Sequence, residues 1–159
     1  MIIRAAVRAD AAAIADLVNP VIRETAITFT TAEKTPEDLA EAIAEVPGRY
    51  QVAEVDGRVL GYACYFQFRG GPGYARTMEH SIAIAPEARG QGLGRPLMAA
   101  LEGHAREVGV HSLFAGVSAE NPAGVAFHAA IGFRQIAVLP EVGFKFGRWM
   151  DLVLMQKFL

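Results

Sequence analysis

The chain has 159 residues, a length that suits one domain, 1–159, with a buried core. Its 52% hydrophobic and 20% charged residues exclude disorder as the main state, and no apolar run reaches the length of a membrane span or a signal peptide core. The formal net charge of -2, with no block of like charges, argues against a nucleic-acid-binding protein.

Apolar periodicity and turn residues predict the elements of the first half of the chain. They are a strand at 2–6, a helix that Asp10 caps and Pro20 interrupts or restarts, a loop at 25–31, a helix from the cap Thr35 to Pro47, and strands at 50–55 and 59–68 joined by Asp56-Gly57. Asp-Gly is a strong signal for a two-residue hairpin turn.

The second half begins with a glycine-rich loop. The predicted order is a loop at 69–74, a strand at 77–85, a helix from about 92 to 109, a strand at 112–117, a helix at 121–130, and strands at 133–139 and 149–158 joined by a loop, Pro140 to Arg148. The order of the elements predicts one domain that mixes helices and strands (α/β in the broad sense, α+β in the strict one). In it, helices flank a mixed, mostly antiparallel sheet.

The most informative segment is the glycine-rich turn from Arg89 to Gly94. It lies between a strand and a helix start, where glycines let a ligand approach the backbone and free N–H groups favour negative charge. Arg95-Pro96 follows Gly94 instead of the Lys-Ser or Lys-Thr of a P-loop, and neither register gives a dinucleotide fingerprint. The turn therefore predicts a different phosphate-bearing ligand; the alternative is a tight turn that binds nothing.

Glu79 is the candidate general base. A carboxylate on an interior strand is costly to bury without a role or a partner, and partial desolvation raises its pKa toward a useful range. The alternative is a strand-end carboxylate paired with Arg76 or Arg69. Cys64 alternates with aromatic residues on its strand, which indicates a buried apolar position, and a lone cysteine fits a reducing cytoplasm.

The Arg-x-x-Gly-x-Gly turn resembles the pyrophosphate loop of the GNAT N-acetyltransferases, and the element order resembles the GNAT fold. The strand Met78–Ile84 is similar to the E-H-S-V-Y-V strand of phosphinothricin acetyltransferases and their methionine sulfoximine and sulfone acetylating relatives, although Ala83 replaces its tyrosine. Segments 25–29, 121–128 and 143–151 also resemble that subfamily, the last with its G-x-K-F-G-R-W-x-D pattern.

The resemblance implies an acetyl-CoA-dependent N-acetyltransferase, without a metal, that acts on the α-amino group of phosphinothricin, methionine sulfoximine or methionine sulfone. It implies Glu79 as base and substrate contact and gives His128 a place at the active site, where an imidazole can protonate the departing thiolate. The implied cofactor contacts are Ile82, Ala83, Ile84, Arg89, Gly90, Gln91, Gly92, Leu93, Gly94, Arg95 and Asn121. The candidate substrate contacts are Phe29, Arg69, Gly73, Tyr74 and Glu79.

Several alternatives stay open at this level. His128 can be a helix histidine satisfied by hydrogen bonds, and Arg69 a solvated loop cation. The substrate can be another small amine, a polyamine or an aminoglycoside, and a different class is a sensor that holds acetyl-CoA without catalysis. The resemblance also implies a homodimer with the aromatic-rich segment 144–149 near its interface. The lone cysteine, the net charge and the short apolar runs favour a cytoplasmic protein without nucleic-acid or membrane partners.

Overall fold

One seven-stranded sheet organises the chain, and the computed structural model describes residues 1–159. The strands are β1 Ile2–Ala5, β2 Tyr50–Val55, β3 Arg58–Gln67, β4 Thr77–Ile84, β5 Ser112–Ser118, β6 Arg134–Lys145 and β7 Arg148–Phe158. The helices are α1 Ala11–Glu24, α2 Pro36–Glu45, α3 Gly94–Glu107 and α4 Pro122–Ala130. The order across the sheet is β1-β2-β3-β4-β5-β7-β6.

All neighbouring strands are antiparallel except β4 and β5, which α3 connects in a parallel crossover. The predicted mixed, mostly antiparallel sheet is therefore confirmed. A parallel pair needs a long connection, and a helix is its usual form. The strand, glycine turn and helix read from the sequence form this crossover.

Helices cover both faces of the sheet, and each face has its own core. On the α3/α4 face, 18 buried residues include Leu97 and Leu101 of α3. On the α1/α2 face, 11 buried residues include Ile14 of α1 and Leu39 of α2. Side chains alternate between these faces along every strand. No helix combines the length and the apolar character needed to cross a membrane.

Of the two predicted N-terminal caps in the first half of the chain, one is present and one is not. Thr35 caps α2 as expected, since its hydroxyl accepts the Asp38 N–H at 3.1 Å. Asp10 precedes α1 but gives it no side-chain cap; its carboxylate accepts instead from the Val7 N–H and from Arg4. Pro20 does not interrupt α1, because the helix continues to Glu24 and buries Ile22 in its last turns.

The predicted loop from Pro140 to Arg148 is wrong. β6 continues to Lys145, and only Phe146 and Gly147 separate it from β7. Both turn residues have positive φ, 53° and 72°, as in a primed hairpin turn. A register shift between Leu139 and Gly143 absorbs the extra residues, and Pro140 lies within it. The proline signal therefore marks a bulge and not a strand end.

Candidate active site

A cleft opens in the middle of the sheet, where β4 and β5 part. The two strands pair only from Thr77–His80 to Ser112–Ala115. Beyond this point β4 stays with β3 as far as Ile84, and β5 stays with β7 as far as Ser118. The last residues of both strands therefore face each other without a sheet hydrogen bond between them.

Strand alternation identifies the backbone groups that face this cleft. The Thr77 carbonyl accepts from Phe68, and the Ala85 N–H donates to Leu60, so odd-numbered residues of β4 direct their backbone groups toward β3. Even-numbered residues direct theirs toward β5, and Ile82 and Ile84 do so where β5 has moved away.

Of the three residues expected to contact a ligand through their backbone, only two direct backbone groups into the cleft. Ile82 and Ile84 present polar groups to the cleft, whereas the Ala83 backbone groups lie on the β3 side and pair with Tyr62. The Ile84 carbonyl also accepts from Arg89 Nε at 3.4 Å. Buried backbone groups need partners, so the cleft edge of β4 is suited to an extended, amide-bearing ligand.

Glu79 lies beside the point where the strands part. Its strand partners are Phe66 on β3 and Phe114 on β5, and both side chains share its face of the sheet. A Cβ added to Gly116 would lie 3.0 Å from a Glu79 carboxylate oxygen. The carboxylate therefore reaches over the first β5 residue that β4 no longer pairs.

The environment of Glu79 is apolar, and it forms no ion pair with Arg76, Arg69 or any other cation. Burial raises the pKa of the Glu79 carboxyl above its usual range. A carboxylate with a raised pKa in a cleft binds a proton more readily than an ordinary carboxylate, which suits a general base. The ion-paired alternative for Glu79 has no support in this structure.

The glycine turn has the backbone that a close ligand requires. Gly90 and Gly92 have φ values of 75° and 81°, and an added Cβ at either position would meet only open space. No side chain caps α3, whose first-turn N–H groups are therefore free for an anion. The turn residues fit a pyrophosphate group in both charge and access.

Neighbouring side chains fix the position of this turn. Gln91 Nε2 donates to the Glu87 carbonyl at 2.7 Å, and Arg95 donates to the Ala130 carbonyl at the end of α4. Gly94 is needed for packing, because an added Cβ would lie 2.9 Å from the Phe127 ring. Leu93 is buried. The turn is thus held by contacts with α4 while its glycines stay open.

His128 lies on the α3/α4 face, across the sheet from Glu79. Its Nδ1 donates to the Gly124 carbonyl at 2.7 Å, and its Nε2 lies 3.0 Å from His80 Nε2. In the neutral pair His80 therefore donates this second bond, which leaves the buried His80 Nδ1 without a partner. Burial lowers the pKa of His128 and lowers the pKa of His80 to about 3.

Both ring nitrogens of His128 are thus occupied, which favours the alternative of a hydrogen-bonded helix histidine. The Asn121 side chain is also partly occupied. Its Oδ1 caps α4 by accepting the Gly124 N–H at 3.0 Å, so only its Nδ2 remains for a ligand. No three His, Cys, Asp or Glu side chains form a cluster that could hold a metal ion.

The candidate substrate contacts lie in two separate loops. Phe29 is half-buried, and its ring covers Gly143 so closely that an added Cβ there would lie 2.2 Å from a ring carbon. Arg69, Gly73 and Tyr74 are exposed in the loop after β3, where the Arg69 guanidinium lies 5.7 Å from the centre of the Tyr74 ring. Arg69 has no carboxylate partner and is free to receive one.

Sequence reasoning missed several side chains of the Glu79 face. Phe66 and Phe114 flank the carboxylate, and Lys145 binds the loop that carries Phe29. Gly116 leaves room for the carboxylate. The alternation of Tyr62, Cys64 and Phe66 could have placed Phe66, but the strand pairing that brings Phe114 beside Glu79 has no local sequence signal.

Comparisons with known proteins agree with this geometry. Residues 19–133 match the acetyltransferase (GNAT) family. An L-amino acid N-acyltransferase of Escherichia coli is 38% identical over 98% of this chain and 92% of its own length. An L-methionine sulfoximine/L-methionine sulfone acetyltransferase of Salmonella typhimurium is 39% identical over 98% of this chain and 93% of its own.

One similar solved structure is a complex with acetyl-CoA. The phosphinothricin acetyltransferase of Sinorhizobium meliloti, in complex with acetyl-CoA, superposes with a TM-score of 0.90 at 31% identity and covers 99% of this chain and 88% of its own. The family match and these relatives identify an N-acetyltransferase, and the sheet split beside a glycine turn, with a carboxylate at the split, fits that class. The chain belongs to the GNAT acetyltransferase family.

Proposed function

We propose that the protein transfers the acetyl group of acetyl-CoA to the α-amino group of a small amino-acid analogue. Phosphinothricin, methionine sulfoximine and methionine sulfone are the candidates, because relatives are named for them. The observation that carries the proposal is Glu79, an unpaired carboxylate with a raised pKa where β4 and β5 part. A sensor that only binds acetyl-CoA has no use for such a base.

The residues of the cleft fit acetyl-CoA from end to end. The pyrophosphate lies against the backbone of Gly90–Gly94, with Arg89 and Arg95 as nearby cations. The pantetheine amides pair with the free backbone groups of Ile82 and Ile84, and Asn121 Nδ2 faces the same arm. Acetyl-CoA supplies a thioester carbonyl that an amine can attack.

Glu79 takes the proton that blocks the attack. An α-amino group is an ammonium ion near neutral pH, and the Glu79 carboxylate accepts one proton from it, directly or through water. The freed nitrogen then bonds to the carbonyl carbon. As the carbon–sulfur bond breaks, the nitrogen releases its second proton and becomes an amide, and the departing thiolate takes up one proton, so the step balances. The Ile82 N–H stabilises the negative charge on the oxygen. His128 is the proposed proton donor to the thiolate. In this role its bond to His80 opens and Nε2 binds a proton before it donates one, because Nε2 accepts in the neutral pair.

The rest of the amino acid is recognised by the two loops. Arg69 binds its carboxylate in a bidentate fork, which a guanidinium forms well. Phe29, Gly73 and Tyr74 line the side-chain pocket. A polyamine substrate would favour carboxylates here, and the loop from Arg69 to Tyr74 has none.

We also propose a homodimer in the cytoplasm. Ile136, Val138, Val142, Phe144 and Trp149 are all about half exposed, between 48% and 59%, on the edge strand β6 and on β7 beside it. An apolar group of this kind on a sheet edge supports a protein partner, and a second copy is the simplest. The lone Cys64 is buried, which suits a reducing compartment.

Gly92→Ala is expected to weaken acetyl-CoA binding by about tenfold or more, because its methyl group enters the space in front of α3. Gly109→Ala is the matched control: Gly109 has φ 85° and equally open surroundings, but lies at the other end of α3. Both variants carry similar backbone strain. Calorimetry that finds equal acetyl-CoA affinity in the two variants contradicts the placement of the pyrophosphate.

Glu79→Gln is expected to lower kcat by about 10²–10⁴-fold and to leave acetyl-CoA affinity unchanged. The exposed Glu41→Gln on α2 is the control and should keep full activity. Steady-state kinetics with isothermal calorimetry measure both quantities. A kcat within a few-fold of wild type at every pH would make Glu79 a structural residue.

The same variant also tests how the buried Glu79 carboxyl changes the stability of the fold with pH. Burial favours the neutral Glu79 carboxyl in the folded state, so wild-type stability falls as pH rises through its raised pKa. Glu79→Gln is therefore expected to melt above wild type at pH 8, and the gap should close near pH 4, where the wild-type carboxyl is protonated.

The decarboxylated amine of each substrate is expected to lose about tenfold or more in kcat/KM relative to the amino acid. Arg69→Met should reduce this preference, whereas Arg8→Met, another exposed arginine, should not. A panel of amino acids and matching amines with thiol detection makes the measurement. Equal rates for amine and amino acid would refute the carboxylate contact and bring the polyamine alternative forward.

Light scattering is expected to give twice the chain mass of 17.1 kDa at micromolar concentration. Trp149→Glu should shift the protein toward the monomer, because it places a charge in the apolar edge. Ile2→Glu is the control, at a position 57% exposed on the opposite edge strand β1. A wild-type protein that is monomeric under these conditions excludes the dimer.

A further inference from the structure

Lys145 is a buried cation without an anion. Its residue is 3% exposed, and its ammonium donates to three backbone carbonyls, those of Ile22 at 2.5 Å, Thr25 at 2.6 Å and Thr28 at 2.8 Å. Three acceptors match the three N–H groups of an ammonium. No carboxylate pairs with it, and burial lowers its pKa.

The three carbonyls lie along one stretch of chain. Ile22 is in the last turn of α1, where carbonyls lack helical partners, and Thr25 and Thr28 follow in the loop that leads to Phe29. Lys145 therefore does more than end a helix. It fixes the path of the chain from Ile22 to Thr28, seven residues, against β6.

A second contact fixes the loop to the same face of the same strand. Gly143 lies two residues before Lys145 on β6, so both face the α1/α2 side of the sheet. The Phe29 ring lies against Gly143, which has no side chain to displace it. Lys145 holds the loop backbone and Gly143 receives its aromatic ring.

The face of the sheet that carries Gly143 continues across β7 and β5 to Glu79. Gly143 pairs with Met150, the next residue on this face of β7 is Leu152, and a Leu152 methyl lies 3.5 Å from the Cβ position of Gly116. The Glu79 carboxylate lies 3.0 Å from that same position. The Phe29 loop and Glu79 thus border one continuous face of the sheet.

We infer that Lys145 is a positioning residue for the acetyl acceptor: it holds the 25–29 loop so that Phe29 forms one wall of the acceptor pocket opposite Glu79. This inference rests on the proposed function. Lys145 itself touches neither acceptor nor acetyl-CoA, and its effect passes through the loop.

Lys145→Met tests it, since methionine keeps an unbranched apolar stem and removes the donors. The expected result is a KM for the acceptor raised about tenfold or more, with the KM for acetyl-CoA within about twofold. Lys157→Met is the matched control. Lys157 also donates to a backbone carbonyl, that of Ile131, as well as to Glu102, but on the α3/α4 face. It should lower the melting temperature without changing the acceptor KM.

A double-mutant cycle with Phe29→Ala shows whether Lys145 acts through the loop. The combined effect of Lys145→Met and Phe29→Ala on acceptor KM should be clearly smaller than the product of the separate effects. Independent, multiplying effects overturn the inference. An unchanged acceptor KM in folded Lys145→Met, or an equal rise in both KM values, overturns it too. If Lys145→Met does not fold, Lys145→Gln, whose two N–H donors cannot serve all three carbonyls, is read by the same criteria.

Amide hydrogen exchange separates this inference from the proposed function. Lys145→Met should speed exchange in residues 25–29 and leave the rest of the sheet unchanged. This readout needs no substrate. If wild type acetylates none of the amines tested, the proposed function fails on that ground, and unchanged exchange in residues 25–29 overturns the role of Lys145 separately.

Discussion

The structure depends on a sheet that is left incomplete at its centre. β4 and β5 pair over four positions and then part, so the polar backbone groups of Ile82 and Ile84 have no strand partner. Elsewhere the sheet satisfies such groups with hydrogen bonds, as a folded chain must. Here a ligand with spaced amides can take the place of the missing strand. The parallel crossover through α3 sets this arrangement, because it also brings the glycine turn to the open end of the cleft.

The same split explains the state of Glu79. Strand pairing places Phe66 and Phe114 beside it, and both remove water from the carboxylate without offering a counter-charge. A carboxylate held this way destabilises the fold when ionised and stabilises it when protonated. The proposed role of Glu79, accepting a proton from an ammonium ion, uses that raised proton affinity, so under this proposal stability and function make opposite demands on the residue.

Much of this could be read from the sequence, and the misses have physical causes. The Asp56-Gly57 turn, the Thr35 cap and the glycine turn are local features whose chemistry is complete within a few residues. The Phe146-Gly147 turn also has two consecutive positive φ values, but phenylalanine gives no turn signal, and Pro140 suggested a loop in its place. Phe114, Gly116 and Lys145 join the site through pairing between distant strands, which no local pattern encodes.

The two faces of the sheet carry different parts of the candidate site. The α3/α4 face carries the glycine turn and the His80–His128 pair, which packs among Phe127 and Phe133. The α1/α2 face carries Glu79 between Phe66 and Phe114, and in the proposed reaction the acceptor approaches from this face.

The loop that carries Phe29 is held against the sheet through Lys145. Lys145 does this with three carbonyls and no anion, an arrangement that leaves its charge uncancelled. A carboxylate partner would have paired with the ammonium, but it would also have placed a second negative charge on the face that carries Glu79. Carbonyl dipoles hold the loop without adding that charge.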